Sequence, residues 1–444
     1  MLRSPLRSLF FYLWLALASL SSLAQEKAIV FRGAHIIPIV GQEIPNGVLV
    51  VKDGRILALG SKEQVEIPAG AEIREVNGIL MPGLVDSHSH LGGGSGGDRS
   101  HPIQPDCRIW ETINARDTGF QKAQAGGLTT VNVMPGSGHL LSGQTIYLKI
   151  RDARHIEEML IRDKSGWIMG GMKMANGTNS IREAPFPGTR GKSAAMVRKE
   201  YIKAIEYRDK IKRAASDPEK MPARDLRLEG LVEVLDKKRI VHHHTHRHDD
   251  ILTVLRLARE FDFRVVLHHV SEGWKIAKEI AAAKVPCSII VIDSPGGKLE
   301  AVDLRFETGG VLERAGVLTG FHTDDGITDS RLFFRSAALA IRAGMSRKGA
   351  LEGLTIANAK MLDLEKKVGS LEVGKDADFI LLDGDPFSVY TKVQQTWVEG
   401  RLVFDRSRPK DLLYAVGGYG ASDGQIMHIN CGWAGHDDDH GDDR

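Results

Sequence analysis

Four apolar runs in this chain each end in histidine, and that recurrence limits the fold more than any other feature. Met81-Pro82-Gly83-Leu84-Val85-Asp86-Ser87 leads into His88-Ser89-His90, and Val241 leads into His242-His243-His244-Thr245-His246. Leu267 leads into His268-His269, and Phe321 into His322-Thr323-Asp324-Asp325. These runs, with those at 127–133, 168–173 and 285–291, have the length and content of buried strands. Amphipathic stretches at 194–215, 226–235, 250–260, 273–283, 331–343 and 347–357 read as helices between and after them. Strands alternating with helices argue a parallel sheet, and continuous apolar runs argue that both its faces are covered. With about eight such repeats the expectation is an α/β fold, a closed (β/α)8 TIM barrel with its site at the C-terminal strand ends. There the four histidine groups converge. A doubly wound open sheet is the alternative, but the chain carries no glycine-rich dinucleotide fingerprint to support it.

The flanks read differently. Short strand-like runs at 28–31, 47–51 and 55–59 are separated by turn signals such as Asp53-Gly54, and similar runs return at 378–382 and 396–403. The two ends are expected to pair into one composite β domain, a small sandwich. Before it, Arg3 and Arg7 precede an apolar run from Leu9 to Leu20 and then small residues up to Ala24, the layout of a secretory signal peptide. The run falls short of the ~20 residues needed to span a bilayer. The resulting division is 1–24 signal peptide, 25–81 first part of the β domain, 82–367 barrel, 368–410 second part of the β domain and 411–444 tail. The tail, with His436-Asp437-Asp438-Asp439-His440, reads as a solvated end rather than a cation scavenger. The mature protein is expected in the periplasm or outside the cell.

Composition removes several classes of function. Lys and Arg number 59 against 57 Asp and Glu, so no basic field exists for nucleic acid. Three cysteines, Cys107, Cys287 and Cys431, are too few and scattered for a disulfide scaffold or a thiolate zinc cluster. Metal chemistry, if present, falls to the 17 histidines. In a strand, residues i and i+2 face the same side, so His88 and His90 aim two imidazoles at one point. His242, His244 and His246 share a face if the strand stays extended, with His243 opposite. Imidazole is a favoured ligand of divalent transition metals. The glycine loop at 92–97 follows the first pair and reads equally as a close approach to substrate or a flexible turn. Arg182, Arg190 and Lys298 read as surface charges before substrate contacts.

Three stretches together resemble the metal-dependent amidohydrolase superfamily, in its imidazolonepropionase- and prolidase-like branch. They are the Pro82–His90 entry, the strand-ending histidines with Asp324, and Val368-Gly369-Ser370-Leu371-Glu372-Val373-Gly374-Lys375-Asp376-Ala377-Asp378, similar to that family's return from barrel to β domain. The resemblance implies that His88 and His90 are first-strand metal ligands and that His269 is the sixth-strand ligand. It implies that Asp324 is the eighth-strand aspartate, which touches metal and shuttles protons. For the fifth strand it favours His244 as ligand with His246 beside the substrate oxygen, and keeps His246 as the second choice of ligand. Lys173 resembles the lysine that many members carboxylate to bridge two cations. The implied cofactor is one or two divalent ions, zinc by default. The implied activity is hydrolysis of carbon–nitrogen bonds in a small amide or peptide-like substrate, with dipeptides and N-acyl amino acids ahead of cyclic amides or deamination. A non-catalytic secreted metal-binding protein is the rival from another class. No membrane contact is expected after signal cleavage, and self-association into a homo-oligomer stays open.

Overall fold

The structure, a computed structural model, describes residues 27–93, 97–290 and 298–417. The signal segment, the centre of the glycine loop, Val291, Cys431 and the acidic tail lie outside the described residues. The strands run, in chain order, β1 (Ile29–Ile36), β2 (Ile44–Lys52), β3 (Arg55–Ser61), β4 (Glu72–Glu75), β5 (Ile79–Pro82), β6 (Leu84–Ser89), β7 (Leu128–Val133), β8 (Leu141–Gln144) and β9 (Ile146–Lys149). Then follow β10 (Met172–Ala175), β11 (Val241–Thr245), β12 (Val265–His269), β13 (Cys287–Ile289), β14 (Thr319–Phe321), β15 (Phe379–Leu382), β16 (Val393–Val398) and β17 (Arg401–Asp405). The helices are α1 (Thr118–Ala125), α2 (Arg190–Ala214), α3 (Leu226–Leu235), α4 (His248–Phe261), α5 (Ala277–Ala283), α6 (Thr308–Arg314), α7 (Phe333–Arg342), α8 (Arg347–Gly353), α9 (Ile356–Met361) and α10 (Pro409–Val416).

The two ends of the chain do pair. β5 runs antiparallel to β15, with Pro82 opposite Phe379 and Ile79 opposite Leu382. This joins β1–β5 and β15–β17 into a single eight-stranded sheet, which the pairing does not divide into two layers. Its hairpins turn where the chemistry asks them to. Asp53 and Gly54 between β2 and β3, and Glu399 and Gly400 between β16 and β17, all take positive φ, the two-residue turn that matches strand twist. Phe379 and Trp397 stack at 5.6 Å between ring centroids, Phe31 meets both edge-on at 4.9 and 5.0 Å, and the three form the centre of this sheet's core.

The remaining strands form two ladders. β10, β11, β12, β13 and β14 are parallel neighbours, with β8 added antiparallel at the edge, while β6 pairs with β7 and β7 with β9. The parallel register puts Ala175 beside His244, His244 beside His268 and Thr245 beside His269, so the histidine-bearing ends lie side by side. The ladders are tied together without strand pairing. Asn358 Nδ2 donates to both Val85 O and Phe321 O at 2.6 Å, and the Asp324 amide donates to His88 O at 3.0 Å. β8 and β9, with Gly143 at φ 132 between tight neighbours, were not legible as strands. The apolar run at 168–173 becomes strand only from Met172. The stretch 347–357 divides into α8 and α9 because Thr355 leaves helical geometry at φ −136, ψ −96. Among the described residues no helix is long and apolar enough to cross a membrane.

The start of α4 is held by a carboxylate from the loop after β12. Glu272 Oε2 accepts the His248 amide at 3.0 Å and its ring Nδ1 at 2.6 Å, and Oε1 accepts Lys275 Nζ at 2.8 Å. A carboxylate on the first amides of a helix satisfies an orphan donor and meets the positive end of the helix dipole. Burial raises this carboxyl, but the bonds from His248 and Lys275 outweigh it and bring it down to about 2. A depressed carboxyl stabilises the fold above its unfolded value of ~4.3 and loses that contribution as pH falls through the folded value. Glu272→Gln is therefore expected to be less stable than the wild type at pH 7, with the gap closing between pH ~4.5 and ~2. Urea unfolding across that range measures it, and a gap independent of pH rejects the assignment.

Candidate metal centre

The site begins where β6 ends. Asp86 is buried and ties this strand to the segment carrying Asp324, since its carboxyl takes the His88 amide at 3.1 Å, the Thr323 amide at 3.2 Å and the Thr323 hydroxyl at 2.5 Å. Burial pushes Asp86 up to about 8. Beyond it, His88 Nε2 and His90 Nε2 lie 3.2 Å apart, and Asp324 Oδ1 lies 3.2 Å from the first and 3.0 Å from the second. His90 Nδ1 donates to Met134 O at 2.8 Å, which leaves the lone pair on Nε2 and turns it toward the group. Two imidazole nitrogens and a carboxylate oxygen thus face one point, an arrangement that a divalent cation satisfies. Lys173 is fully buried, with Nζ 3.1 Å from His88 Nε2 and 3.1 Å from Met134 Sδ. A surface position for it is excluded.

A second histidine group adjoins the first. His244, His246 and His269 each present a ring nitrogen within 4.8 Å of the others, and a ring nitrogen of His88, one of His269 and a carboxylate oxygen of Asp324 lie equally close together. Ser271 Oγ holds His246 Nδ1 at 2.7 Å. His269 and Asp324 take φ of 70° and 50°, a left-handed conformation that non-glycine residues seldom adopt and that gathers at functional sites. Burial lowers His88, His244, His246 and His269 well below the usual imidazole range, so these rings are neutral, the form that ligates metal. Burial alone raises Asp324, yet the facing imidazoles of His88 and His90 outweigh it and hold the carboxyl well below the usual carboxylate range.

Beneath these groups lies a buried polar chain. Tyr147 OH hydrogen-bonds His242 Nε2 at 3.1 Å, and His242 Nδ1 hydrogen-bonds His268 Nε2 at 3.0 Å. His322 is held by Ser288 Oγ at 2.8 Å and by His269 Nδ1 at 3.1 Å. His242 therefore packs below the group that contains His244 and His246. His243 faces the other way, as strand alternation requires, and lines a cavity of about 370 Å³ between β10, β11 and the helices α2 and α4.

The loop cations are more engaged than their sequence suggested. Arg190 Nε donates to both oxygens of Asp250 at 3.0 Å, and Arg182 lies 5.1 Å from the Phe186 ring centre. Lys298 adds its positive charge to the burial that lowers His244 and His246. Cys107 and Cys287 are unpaired thiols. Asp86, Ser271 and Glu300 at the site carried no signal in the sequence, because single polar residues in a loop or buried run follow no period.

A family model described as "Amidohydrolase family" matches residues 79–403. The chain is 33% identical to an amidohydrolase from Thermotoga maritima MSB8 of known structure, over 85% of this chain and 100% of that one, with a TM-score of 0.78. It is 26% identical to amidohydrolase tasK of Hapsidospora irregularis over 81% of this chain but 40% of that protein, so it spans less than half of that relative. It is 25% identical to the 5-methylthioadenosine/S-adenosylhomocysteine deaminase of Symbiobacterium thermophilum, over 85% of this chain and 93% of the relative.

Proposed function

The chain belongs to the amidohydrolase family, and from that premise we propose that it is a metal-dependent hydrolase of carbon–nitrogen bonds acting on dipeptides or N-acyl amino acids. The observation that carries the reading is the convergence of His88 Nε2, His90 Nε2 and Asp324 Oδ1 within 3.0–3.2 Å. These three, with Lys173 beside them, would hold one cation, and His244 and His269 belong to the adjoining group. His246 goes with the ligands, the second of its two expected roles, because its Nε2 has no hydrogen-bond partner and its ring belongs to the same group. A carboxylated Lys173 stays part of the proposal, as does zinc, which the imidazole-rich donor set suits. We read the two ladders as arcs of one (β/α)8 barrel, and residues 1–24 as the address for export.

A divalent cation supplies Lewis-acid polarisation of a carbonyl and lowers the pKa of water from ~15.7 to ~7. The chain supplies the proton handling. Asp324 turns Oδ1 to the two imidazoles, while Oδ2 is the oxygen that takes a proton from the attacking water and returns it to the departing amine. Asp86 and the His88 carbonyl hold the Asp324 segment against β6, which sets the carboxylate at the distance this exchange needs.

The test is hydrolysis of a panel of dipeptides and N-acyl amino acids before and after chelation. Turnover that disappears with chelator and returns with zinc supports the reading. Metal binding with no hydrolysis of any member rejects it in favour of a non-catalytic metal protein. Ammonia release from an adenine nucleoside, with the panel inert, favours the deaminase alternative that the Symbiobacterium thermophilum relative suggests.

A further inference from the structure

On the outward face of the parallel ladder an imidazole stands where its neighbours are apolar. His243 lies in register between Met174 of β10 and Leu267 of β12, both fully buried in the core that joins the strands to their helices. His243 is itself only 2% exposed. Its Nδ1 donates to the His244 carbonyl at 2.9 Å, and a carbonyl only accepts, so Nδ1 carries the ring hydrogen. Burial keeps the ring neutral, which leaves the lone pair on Nε2. Among the described residues no other hydrogen bond reaches this ring. An idle acceptor at such a depth is costly.

The ring borders the cavity of about 370 Å³ between β10, β11, α2 and α4, whose walls include Leu140, Val197, Leu252 and Leu257. The charged groups around this cavity are already matched. Arg190 Nε donates to both oxygens of Asp250 at 3.0 Å, Asp249 accepts two bonds from the Arg247 guanidinium at 3.0 and 2.9 Å, and Arg256 donates to Thr253 Oγ1 at 2.7 Å. Asn176 turns Nδ2 to the Asp250 carbonyl at 3.0 Å, and its Oδ1 is buried without a partner. The buried atoms left over on this wall are therefore acceptors, set among apolar side chains. That combination suits a molecule with an apolar body and an N–H or O–H donor, and the volume is that of a small-molecule site. A charged amine would give up more hydration than two neutral acceptors return, so the donor belongs to a neutral group.

We propose that this cavity is a ligand site separate from the metal centre, taking a small neutral molecule of apolar body whose N–H or O–H donor binds His243 Nε2. β11 divides the two sites, with His243 on the side of the cavity and His244 on the side of the histidine group. The ligand meets the same ring whose Nδ1 holds the His244 carbonyl, so it binds a side chain already oriented by the strand. No part of this site calls on a cation, and its occupancy is measured without turnover.

The probes are indole, an apolar molecule with one N–H, and N-methylindole, which keeps the rings and lacks the donor. Titration calorimetry of the full chain is expected to show indole binding with a Kd below ~1 mM. N-methylindole is expected to bind ~3- to 10-fold more weakly, the share of one hydrogen bond. His243→Phe removes the acceptor and is expected to bring the two probes to equal affinity, which isolates that bond from any change of shape. Ala194→Phe enlarges a side chain of α2 that lines the cavity and is expected to abolish binding of both. If His243→Phe fails to fold by circular dichroism, the gap between the probes in the wild type and the loss in Ala194→Phe decide the matter. Absence of indole binding, equal affinity of the two probes for the wild type, a gap that persists in His243→Phe, or binding that survives Ala194→Phe overturns the proposal. Competitive displacement of indole by a hydrolysed member of the panel places it at the metal centre and overturns it too.

Discussion

Asp324→Asn is expected to keep its metal and lose turnover by ~10²–10⁴-fold, the range that positioned acid–base groups supply. Asparagine keeps an oxygen to place where Oδ1 stands, 3.0–3.2 Å from the His88 and His90 nitrogens. It cannot accept a proton on the opposite atom. The wild-type carboxyl lies well below the usual carboxylate range despite its burial, so it is ionised at neutral pH. Initial rates on a hydrolysed member of the panel, beside metal content per chain, measure both halves of the expectation. Full turnover in the variant shows that the proton travels by another group. Loss of metal together with turnover shows that Asp324 serves as ligand first.

The second large effect concerns stability and lies away from the site. Lys149, at the end of β9, is buried, with its ammonium 2.7 Å from Asp376 and in closer contact with Asp378. Asp378 also accepts the Glu399 amide at 2.8 Å, and Asp376 pairs with Arg55. This cluster joins the ladder of β6, β7 and β9 to the sheet formed by the chain's two ends. Lys149→Met fills similar space but leaves two buried carboxylates without their shared counter-charge. Breaking one partner of a buried ion pair costs ~3–5 kcal/mol, far more than the intact pair contributes over an apolar replacement. Urea unfolding at neutral pH is expected to show a loss in that range. A loss under ~1 kcal/mol, typical of an exposed pair, rejects the assignment.

That cluster also explains the stretch ending in Asp376-Ala377-Asp378. In the sequence it stood out only by resemblance. In the fold its aspartates answer Lys149, whose place in an apolar strand gave no hint of two acidic partners more than 200 residues away. Asp86 is a similar case. It sits inside an apolar run, and only the approach of Thr323 gives its burial a purpose.

The histidines divide more finely. Period-two alternation puts His88 and His90 together and turns His243 away, and both are observed. The same rule groups His242 with His244 and His246, yet His242 bonds Tyr147 and His268 below while the other two rise to the site. The rule fails at His268 and His269. These neighbours should face opposite ways, but the positive φ of His269 breaks the alternation and both rings stay inside. Such backbone geometry is decided by surrounding packing, which periodicity does not encode.

From its own pattern, then, the chain determines where most of its parallel strands lie, that its ends return to a common sheet, and that imidazoles gather where parallel strands finish. Those properties depend on apolar spacing over a few residues, so they are written locally. Only the tertiary structure decides which ring nitrogens face one another, that Lys173 is buried beside His88, and that Glu300 arrives from a loop to face His244. These are contacts between residues 56 and 85 positions apart, set by register and by the hydrogen bonds each buried atom finds or lacks.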